Sequence, residues 1–310
     1  VNRNSSTLTA LPTQTRREGQ TLSVHICQGA DGMALSADGK TAFVYCQFDH
    51  KLQRIQALGD TLAVVGQTEL ASEVLPPETA LGRKMFFSAV DPRMTSPTVG
   101  LACESCHLEG REDGHVWQFP DGPRQTPGLA GRQLDATAPY HWAGLFPTVH
   151  DFFKETVVGR MGGMGLTHTE GENLKGFINS MKAPENPLQS RPDLADSLVR
   201  GKQAFVKANC ATCHVPEQAF ADGLNHDVRT LTSLDRLELL GSDGIEAKGV
   251  EFPKLDVVNT PSLLGLGRTA PYLHDGKVVT LRGRINDARS PQKDGKDHGD
   301  TSMLSDQEIS

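Results

Sequence analysis

The 310-residue sequence has few aromatic side chains and no long apolar run. Phe, Trp and Tyr together make up 5% of the residues, with two Trp and three Tyr, so a large apolar cofactor would help to fill a core. No stretch approaches the roughly 18–20 consecutive apolar residues of a membrane span. Thirty-one basic residues against 38 acidic ones give a net charge of −7, which argues against nucleic acid or an anionic membrane as a partner. The length suits two or three domains.

The two ends of the sequence predict a segment of a longer protein. The chain opens at Val1 without the pattern of a signal peptide. Near the other end, Ser305 and Glu308 have the spacing of a helix capping box. The sequence stops at Ser310, before that helix completes a turn. We therefore expect a chain that is cut at both ends.

Six cysteines are present, and four of them form two copies of the sequence C-x-x-C-H. Two thiols three residues apart on a helical turn can add to the two vinyl groups of haem, and the adjacent histidine can then bind the iron. The sequence therefore predicts two covalently bound haem c groups, with the histidine of each motif as the proximal iron ligand. The residues concerned are Cys103, Cys106 and His107 in the first motif and Cys210, Cys213 and His214 in the second.

Three other uses of a C-x-x-C pair fit this sequence less well. A zinc ribbon places its two pairs about 15–20 residues apart, far closer than here, and needs no histidine directly after each pair. A thioredoxin-like motif needs a βαβ setting, which neither motif has. A disulfide between cysteines three apart in a helix is distorted.

The expected location of the protein follows from the haem chemistry. Covalent haem attachment takes place outside the cytoplasm, so we expect a periplasmic or exported protein, where disulfides also persist. Two cysteines remain outside the motifs, Cys27 and Cys46. They either pair with each other or stay as two buried thiols in β-structure.

Residues 21–67 have the pattern of short β-strands. Residues 32–36 and 41–46 form an alternating pair around an Asp-Gly turn, and residues 52–55 and 61–65 add two more strands. Four short strands in about 40 residues match one blade of a β-propeller. The phrase DGMALSADGKTAFVYCQFDHKLQRI resembles the last blade of a YVTN-type β-propeller. Because blades stabilise one another by stacking, we expect either earlier blades or packing of this segment on the haem domains.

From about residue 72 the apolar residues follow a helical period, and several motifs occur twice. One helix is predicted through Leu174 and Ile178 and another through Leu198 and Phe205, with a proline-containing linker between them. Each C-x-x-C-H follows a Gly…Phe pair and precedes an Asp-Gly turn, a Thr-Pro pair and Thr-Ala-Pro-Tyr. In the first copy these lie at 82–86, 121–122, 126–127 and 137–140, and in the second at 201–205, 222–223, 260–261 and 269–272. Two halves of the same order predict two similar small helical domains.

The order LGRKMFF, CESCH, TPGL, TAPYHWAG, RMGGMGL, CATCH, AFADG, NTPSL and TAPYLHDGKVVTLRG resembles the bacterial di-haem cytochrome c peroxidase family, which includes the di-haem enzyme of methylamine utilisation. The resemblance covers about residues 74–310. It implies a mainly α fold of two c-type cytochrome domains in tandem, preceded here by the short β-propeller-like blade. The predicted domains are residues 1–71 for the blade, 72–190 for the first haem and 191–310 for the second.

In that family the N-terminal haem reacts with peroxide and the C-terminal haem receives electrons from a small donor protein. Carried over, Cys103, Cys106 and His107 hold the peroxidatic haem, and the second motif holds the electron-transfer haem. The resemblance implies reduction of hydrogen peroxide with electrons from a small cytochrome c or cupredoxin, whose docking face would be basic to suit this acidic chain. Two other functions stay open: oxidation of a protein or organic substrate by the same haems, and electron transfer or sensing without catalysis.

Candidates for the distal side of the first haem come from the same resemblance. His115, in the segment GHVWQ, matches a removable distal iron ligand, although the spacing to the next Thr-Pro is two residues longer here. The alternative is an exposed loop histidine beside a packed Trp117. Peroxide cleavage also needs a group that moves a proton between the two oxygens. Where the family carries Gln and Glu, this chain offers Tyr140 and His150, with His141 as a third candidate.

The distal ligand of the second haem is expected soon after the segment TLRG. The family's methionine aligns with Ala288, which cannot bind iron, so His298 is favoured, ahead of Met303. A histidine ligand lowers the reduction potential relative to methionine. Met161 and Met164 are expected to pack rather than to bind iron.

The resemblance also implies a calcium ion between the two haem domains. The carbonyls of Thr269 and Pro271 match the family's donors, and Gln125 stands where an asparagine is usual. Oxygen donors about 2.3–2.6 Å from the ion would be required. We therefore expect two haem c groups and, as a further candidate, one Ca²⁺.

Overall fold

The structure is a computed structural model that describes residues 1–11, 21–119, 122–186, 188–232, 235 and 257–309. Its strands are β1 (Thr7–Ala10), β2 (Leu22–His25), β3 (Ala30–Leu35), β4 (Thr41–Cys46), β5 (Lys51–Leu58), β6 (Thr61–Glu69), β7 (Val116–Phe119), β8 (Gly122–Gln125), β9 (Asn225–His226) and β10 (Val258–Asn259). Its helices are α1 (Pro77–Phe87), α2 (Val149–Phe153), α3 (His168–Ser180), α4 (Ala195–Lys207), α5 (Leu281–Asp287) and α6 (Asp306–Ile309). The chain divides into two compact units, which we call unit 1 (Val1–Ser105 with Phe153–Ile178) and unit 2 (Cys106–Phe152 with Asn179–Ser310).

Unit 1 contains β1 paired with β2 and an antiparallel sheet in the order β3-β4-β5-β6. Successive side chains of a strand point to opposite faces. In β4, Val44 and Cys46 are therefore buried, while Phe43 and Tyr45 lie on the more exposed face. Val44 belongs to the same apolar cluster as Ile55 of β5. The predicted strand pair and the two strands that follow it are confirmed, whereas membership of a propeller stays a prediction.

A disulfide joins Cys27 to Cys46. Of the two alternatives for these cysteines, a disulfide or two buried thiols, the structure has the disulfide. Both residues lie in the cluster that also contains Leu8 of β1 and Ile26. Burial of these apolar side chains is the main force that holds β1 and β2 on the four-stranded sheet.

Helix α1 packs against the turn between β4 and β5. The ring centroid of Phe48 lies 4.8 Å from that of Phe87, and the guanidinium of Arg83 lies 4.8 Å from the centre of the Phe48 ring. Nζ of Lys84 donates to Oδ1 of Asp49 at 2.6 Å. The N-terminal segment was expected either to stack on earlier blades or to pack on the haem domains. This contact supports its packing on residues 72–190, the first predicted haem domain.

Helices α1 and α3 approach each other closely at Gly82. A Cβ at Gly82 would lie 2.0 Å from the carbonyl oxygen of Asn173 and 2.9 Å from Cβ of Phe177. Phe86 packs edge-on against Phe177, with 5.5 Å between ring centroids, and Leu174 is fully buried. The predicted apolar stripe of this helix is therefore confirmed.

Unit 2 contains both copies of Thr-Ala-Pro-Tyr, and the two copies fold alike. Each follows one turn of 3₁₀ helix, and its tyrosine hydroxyl donates to the first carbonyl of that turn. These hydrogen bonds join Tyr140 to Leu134 at 2.7 Å and Tyr272 to Leu266 at 3.2 Å. Each tyrosine also forms an antiparallel bridge with the residue six positions further on. The predicted internal repeat is confirmed in these segments.

The two copies are joined by a reciprocal pair of backbone hydrogen bonds. The N–H of Gln125, before the first Thr-Pro, donates to the carbonyl of His274, after the second Thr-Ala-Pro-Tyr. The N–H of Asn259, before the second Thr-Pro, donates to the carbonyl of Trp142, after the first Thr-Ala-Pro-Tyr. Both bonds are 2.7 Å long. Each half of the repeat therefore satisfies a buried backbone group of the other.

The compact units do not follow the predicted domain boundaries after residues 71 and 190. Unit 1 joins the N-terminal sheet to α1 and α3, and unit 2 combines parts of both predicted haem domains. The predicted division into three domains therefore stays a prediction from the repeat.

Helices make up 30% of the structure and strands 20%, so a mainly α fold is only loosely supported. No helix of the described residues combines the length and apolarity needed to cross a membrane. Asp121 of the first predicted turn and Pro187 of the linker lie outside the described residues.

Both capping boxes of the described chain use the same reciprocal bonds. At the start of α3, the Glu170 carboxylate accepts from the Thr167 N–H (2.8 Å) and hydroxyl (2.7 Å), and the Glu170 N–H donates back to that hydroxyl. Arg93 also donates to this carboxylate. Together the Thr167 and Arg93 bonds lower the pKa of Glu170 to about 2. Ser305 and Glu308 repeat the arrangement before α6, as predicted.

Replacing Gly82 by alanine should destabilise the protein, because the new methyl group would overlap the Asn173 carbonyl. We expect a loss of about 1–3 kcal/mol in the free energy of unfolding, the usual effect of overpacking, measured by denaturant titration. Gly176 of α3 is the matched control, since a Cβ there has nothing within 4 Å. Gly176→Ala should stabilise by up to about 1 kcal/mol, because alanine favours a helix. Equal effects of the two changes would contradict the close approach of the helices.

The contribution of Glu170 to stability should disappear in acid. A glutamate titrates near pH 4.3 in an unfolded chain, whereas the folded-state pKa of Glu170 is about 2. Its stabilising effect is thus complete above the unfolded value and is lost as the pH falls through the folded one. The difference in unfolding free energy between wild type and Glu170→Gln should shrink over this window in pH-dependent urea titrations. Glu185→Gln, at an exposed carboxylate, should show no such trend; a Glu170→Gln difference that grows in acid would contradict the prediction.

Candidate functional site

The second C-x-x-C-H motif follows α4 at a tight turn. Helix α4 ends at Lys207, and Asn209 adopts the left-handed conformation (φ 61°) that often follows a helix end. Cys210 then begins a single 3₁₀ turn, and the His214 N–H donates to the Cys210 carbonyl at 3.0 Å. The two thiols and the imidazole of this motif therefore lie on adjoining turns, as covalent haem attachment requires.

Both motif histidines are fixed by the same kind of hydrogen bond. Nδ1 of His107 donates to the carbonyl of Pro127, and Nδ1 of His214 donates to the carbonyl of Phe220, each at 3.0 Å. A carbonyl only accepts, so Nδ1 carries the proton and Nε2 keeps its lone pair. Burial lowers the pKa of both rings, that of His107 to about 4. Each imidazole is therefore neutral at neutral pH and offers Nε2 to a metal, which fits the needs of haem iron.

The surroundings of the motif thiols argue against the thiol-redox alternative. Burial, with a contribution from Asp113, raises the pKa of Cys106 to about 11. Burial also raises the pKa of Cys210 and of Cys213. A thiol that keeps its proton is a poor nucleophile for disulfide exchange. Sγ of Cys213 lies within 4.8 Å of ligand atoms of Asp222 and His226, a group that could hold a metal ion. Conversion to thioethers on a haem is compatible with these buried positions.

His115 is exposed on the loop before β7. Its ring lies edge-on to Trp117, with 4.7 Å between the ring centroids. Nε1 of Trp117 donates to Oδ2 of Asp113 at 2.7 Å, which holds the indole in place. This geometry matches the alternative interpretation, a loop histidine beside a packed tryptophan. A role of His115 as distal iron ligand stays a prediction.

Tyr140 has a structural hydrogen bond, because its hydroxyl donates to the Leu134 carbonyl just as that of Tyr272 donates to its own 3₁₀ turn. Burial raises the pKa of Tyr140 to about 12. The geometry therefore gives no support to proton transfer by this phenol, a role that stays a prediction.

The other two candidates for proton transfer lie further along the same segment. The ring of His141 is edge-on to Phe146 and to Phe152, at centroid distances of 4.9 and 5.3 Å. His150 is half-buried in the first turn of α2. Catalytic roles for both histidines stay predictions.

The ring of His298 faces that of His214, with 6.2 Å between the centroids and 29° between the planes. Met303, the alternative ligand, has its side chain 70% exposed. This placement favours His298, the residue preferred from the sequence. Met161 is buried and Met164 is exposed, so packing describes the first methionine but not the second.

The residues expected to bind calcium make a direct contact with each other. Nε2 of Gln125 donates to the carbonyl of Thr269 at 2.8 Å. That carbonyl is one of the oxygens which the resemblance assigns to calcium, and here it already has a partner. The calcium site, with Pro271 as its other donor, stays a prediction without support from this geometry.

A buried ion-pair network in unit 2 was not predicted from the sequence. Asp235 is fully buried, and its Oδ1 accepts from Nη1 of Arg124 (2.6 Å) and Nε2 of His274 (3.0 Å). Its Oδ2 accepts from the N–H (2.6 Å) and hydroxyl (2.9 Å) of Thr232. Burial alone raises the pKa of Asp235, but these donors hold it below its usual value. Four hydrogen bonds thus stabilise one buried charge.

The sequence holds little signal for this network. Asp235 is one of 38 acidic residues, and 111 positions separate it from Arg124. The position of His274 is more informative, since it occupies the place in the second Thr-Ala-Pro-Tyr segment that Trp142 has in the first. The Trp142 and His274 rings lie 6.2 Å apart, which links the network to the repeat.

Residues 198–310 match the cytochrome c family. The segment that contains the second motif is therefore similar to cytochrome c domains, a class of domain that carries covalently bound haem c. A chain of hydrazine synthase from Kuenenia stuttgartiensis is similar at 21% identity, over 80% of this chain and 96% of that one, with a TM-score of 0.55. A MauG-like protein associated with microbial copper homeostasis is similar at 19% identity, over 78% and 88% of the two chains, with a TM-score of 0.50.

These structural similarities establish the fold and no more, because the identities are low. A variant of the di-haem peroxidase BthA from Burkholderia thailandensis is 17% identical over 88% of this chain and 84% of that one, but its TM-score is 0.36, too low to support an argument. No curated protein sequence matches the chain. The expectation of a c-type cytochrome fold is confirmed, whereas the peroxidase family and the propeller blade stay predictions.

Changing Asp235 to asparagine should strongly destabilise the protein, because it leaves the Arg124 charge buried without its partner. We expect a loss of about 3–5 kcal/mol in the free energy of unfolding, measured by denaturant titration. Asp193→Asn is the matched control, since that carboxylate pairs with Arg191 on the surface and its loss should have little effect. A small effect of Asp235→Asn, similar to that of the control, would contradict the network's role.

Proposed function

We propose that this chain is a haem-containing oxidoreductase with two c-type haem sites. The observation that carries the proposal is the shared geometry of the motif histidines, whose Nδ1 atoms each donate to a backbone carbonyl at 3.0 Å and so leave Nε2 for iron. The cytochrome c match of residues 198–310 supports the second site independently. When bound, haem supplies one-electron redox chemistry and an iron centre for a substrate. The residues that would hold it are Cys103, Cys106 and His107, and Cys210, Cys213 and His214.

We further propose that the first site reduces hydrogen peroxide. One peroxide takes up two electrons and two protons and yields two molecules of water. The electrons enter at the second site, where the His298 ring faces that of His214 and suits electron transfer better than substrate binding. The resemblance in motif order supports this division, since the first motif has the place of the peroxidatic site.

The protons need a donor at the first site, for which His150 is the first candidate and His141, whose ring is packed between two others, is a second. The rings of Phe146 and Phe152 contact His141 edge-on at about 5 Å. A ring held by packing keeps its geometry through a reaction cycle, as a proton-transfer group must. The exposed His115 remains as a further candidate for this role.

The proposed partner is a small electron-donor protein, either a cytochrome c or a cupredoxin. The net charge of −7 favours a donor with a basic docking face and an association rate that falls with added salt. We place the protein in the periplasm or outside the cell, because haem c attachment takes place there. The disulfide between Cys27 and Cys46 supports an oxidising compartment.

Two alternative functions remain. The same two sites could oxidise a protein or an organic substrate instead of reducing peroxide. Electron transfer without catalysis is favoured by one specific observation, the placement of His298 against His214, which suits an iron with two protein ligands. Peroxide turnover separates the leading proposal from both alternatives.

The test is peroxide consumption by the exported, haem-loaded protein with a reduced small cytochrome c. We expect saturable turnover in which two donor molecules are oxidised for each peroxide. His107→Ala should abolish this turnover, because it removes the proximal ligand of the first site. His25→Ala, at an exposed position of β2, is the control and should retain the wild-type rate.

Two results would contradict the proposal. Protein with two haems that shows no turnover in any oxidation state would favour the electron carrier. Equal turnover by wild type and His107→Ala would show that the first site is not the place of reaction.

A further inference from the structure

We propose that His298 is the second axial ligand of the iron bound by His214, so that this haem has two histidine ligands and both of its axial positions are occupied by the protein. The inference rests on the proposed function in one respect, the presence of a haem on Cys210 and Cys213. It goes beyond that function because it assigns the second ligand and the spin state of this haem.

The distance between the two rings is the first argument. Two imidazoles on opposite sides of one metal have centroids about 6.4–6.6 Å apart, because a metal–nitrogen bond is about 2.0–2.1 Å long and a ring nitrogen lies about 1.2 Å from its centroid. The His214 and His298 centroids are 6.2 Å apart. The separation therefore fits an iron between the rings.

The polar atoms of the two rings are the second argument. Nδ1 of His214 is bonded to the Phe220 carbonyl, which assigns Nε2 to the iron in this proposal, and the Pro261 carbonyl is a second backbone partner of the same ring. Nδ1 of His298 is shielded from solvent and has no hydrogen-bond partner among the described residues. A buried ring nitrogen without a partner is unfavourable. The lack of a protein partner for Nδ1 of His298 is explained if this nitrogen serves as an iron ligand.

The backbone around His298 is the third argument, because it holds the ring in place from both sides. Nη2 of Arg284 in α5 donates to the His298 carbonyl. On the N-terminal side, the Asp297 carboxylate accepts from the N–H of Gln292 at 2.9 Å. On the C-terminal side, the N–H of Asp300 donates to the carbonyl of Ala208 at 2.9 Å. The ligand is therefore positioned in advance and does not have to swing in from solvent.

The path of the chain after His298 connects this loop to the attachment cysteine. Gly299 has a φ of 81°, and a Cβ there would lie 3.4 Å from the Ala208 carbonyl oxygen and 3.5 Å from Sγ of Cys210. A side chain at this position would be strained, so glycine allows the loop to pass directly beside the motif. This path of the loop places the His298 ring beside the second motif, where an iron ligand is needed.

Two consequences follow for the reaction. With two protein ligands, the iron of a haem held here would not be open to peroxide, so this haem would serve electron transfer and substrate binding would fall to the first site. Two histidine ligands also give a lower reduction potential than a histidine and a methionine. The second haem would therefore be a strong donor to the first.

The experiment compares the exported holoprotein with His298→Ala and His298→Met by EPR, visible absorption and redox titration. In the wild type we expect one ferric haem per chain with the low-spin signal of two histidine ligands. His298→Ala should convert this haem to high spin at unchanged haem content, and added imidazole should restore the low-spin signal. His298→Met should raise the midpoint potential of one haem. Met303→Ala is the matched control at an exposed position and should change neither signal.

The outcomes separate this inference from the proposed function. Two haems by intact mass, with spectra and potentials unchanged in both His298 variants, would overturn the ligand assignment and leave the proposed function standing. A methionine signature in the wild type that is lost in Met303→Ala would overturn it in favour of Met303. Absence of haem from Cys210 and Cys213 would overturn both proposals. Because His298→Met retains a ligand, it tests the assignment even if His298→Ala does not fold.

Discussion

The hydrogen bond from each motif histidine to a backbone carbonyl is the interaction on which both candidate sites depend. It sets the tautomer of His107 and of His214 and fixes the direction in which Nε2 points. Without it, a neutral imidazole could place its proton on the nitrogen that iron needs. The acceptor is a backbone oxygen in both cases, so the fold rather than a particular side chain prepares the site. The carbonyls of Pro127 and Phe220 reach these positions because the loops after each motif turn back towards it.

The loops are held by hydrogen bonds that cross the internal repeat. Gln125 and Asn259 each donate a backbone N–H to the other half, and the acceptors are the carbonyls of His274 and Trp142. The same segment carries Arg124, whose charge is balanced by Asp235 within the buried network. Because a buried charge without its partner is costly, the network allows few alternative arrangements of these loops. The geometry at the first motif histidine is thereby coupled to residues from the second half of the chain.

Local patterns predicted a large part of this structure, and long-range contacts explain what they missed. The strands of the N-terminal sheet, the stripe through Leu174 and the Ser305 capping box were predicted because each depends on residues close together in sequence. The hydrogen bond of Tyr140 to the Leu134 carbonyl was not predicted, because the resemblance assigned this residue to proton transfer, a role that stays a prediction. Asp235 was missed because its partners lie far away in sequence. The division into compact units also departs from the predicted domains, since α1 packs on the N-terminal segment through Phe48 and backbone bonds from Gln125 and Asn259 join the two halves of the repeat, contacts that no periodicity reveals.

The central claim is that both C-x-x-C-H motifs carry haem through thioether bonds, and the intact mass of the exported protein tests it most directly. The claim predicts a mass equal to the polypeptide plus two haems, falling by one haem when Cys210 and Cys213 are both replaced by alanine. A red protein that retains both haems after this replacement would contradict the assignment of the second site. A colourless protein with the mass of the bare polypeptide, exported together with the haem-attachment machinery, would contradict the claim as a whole.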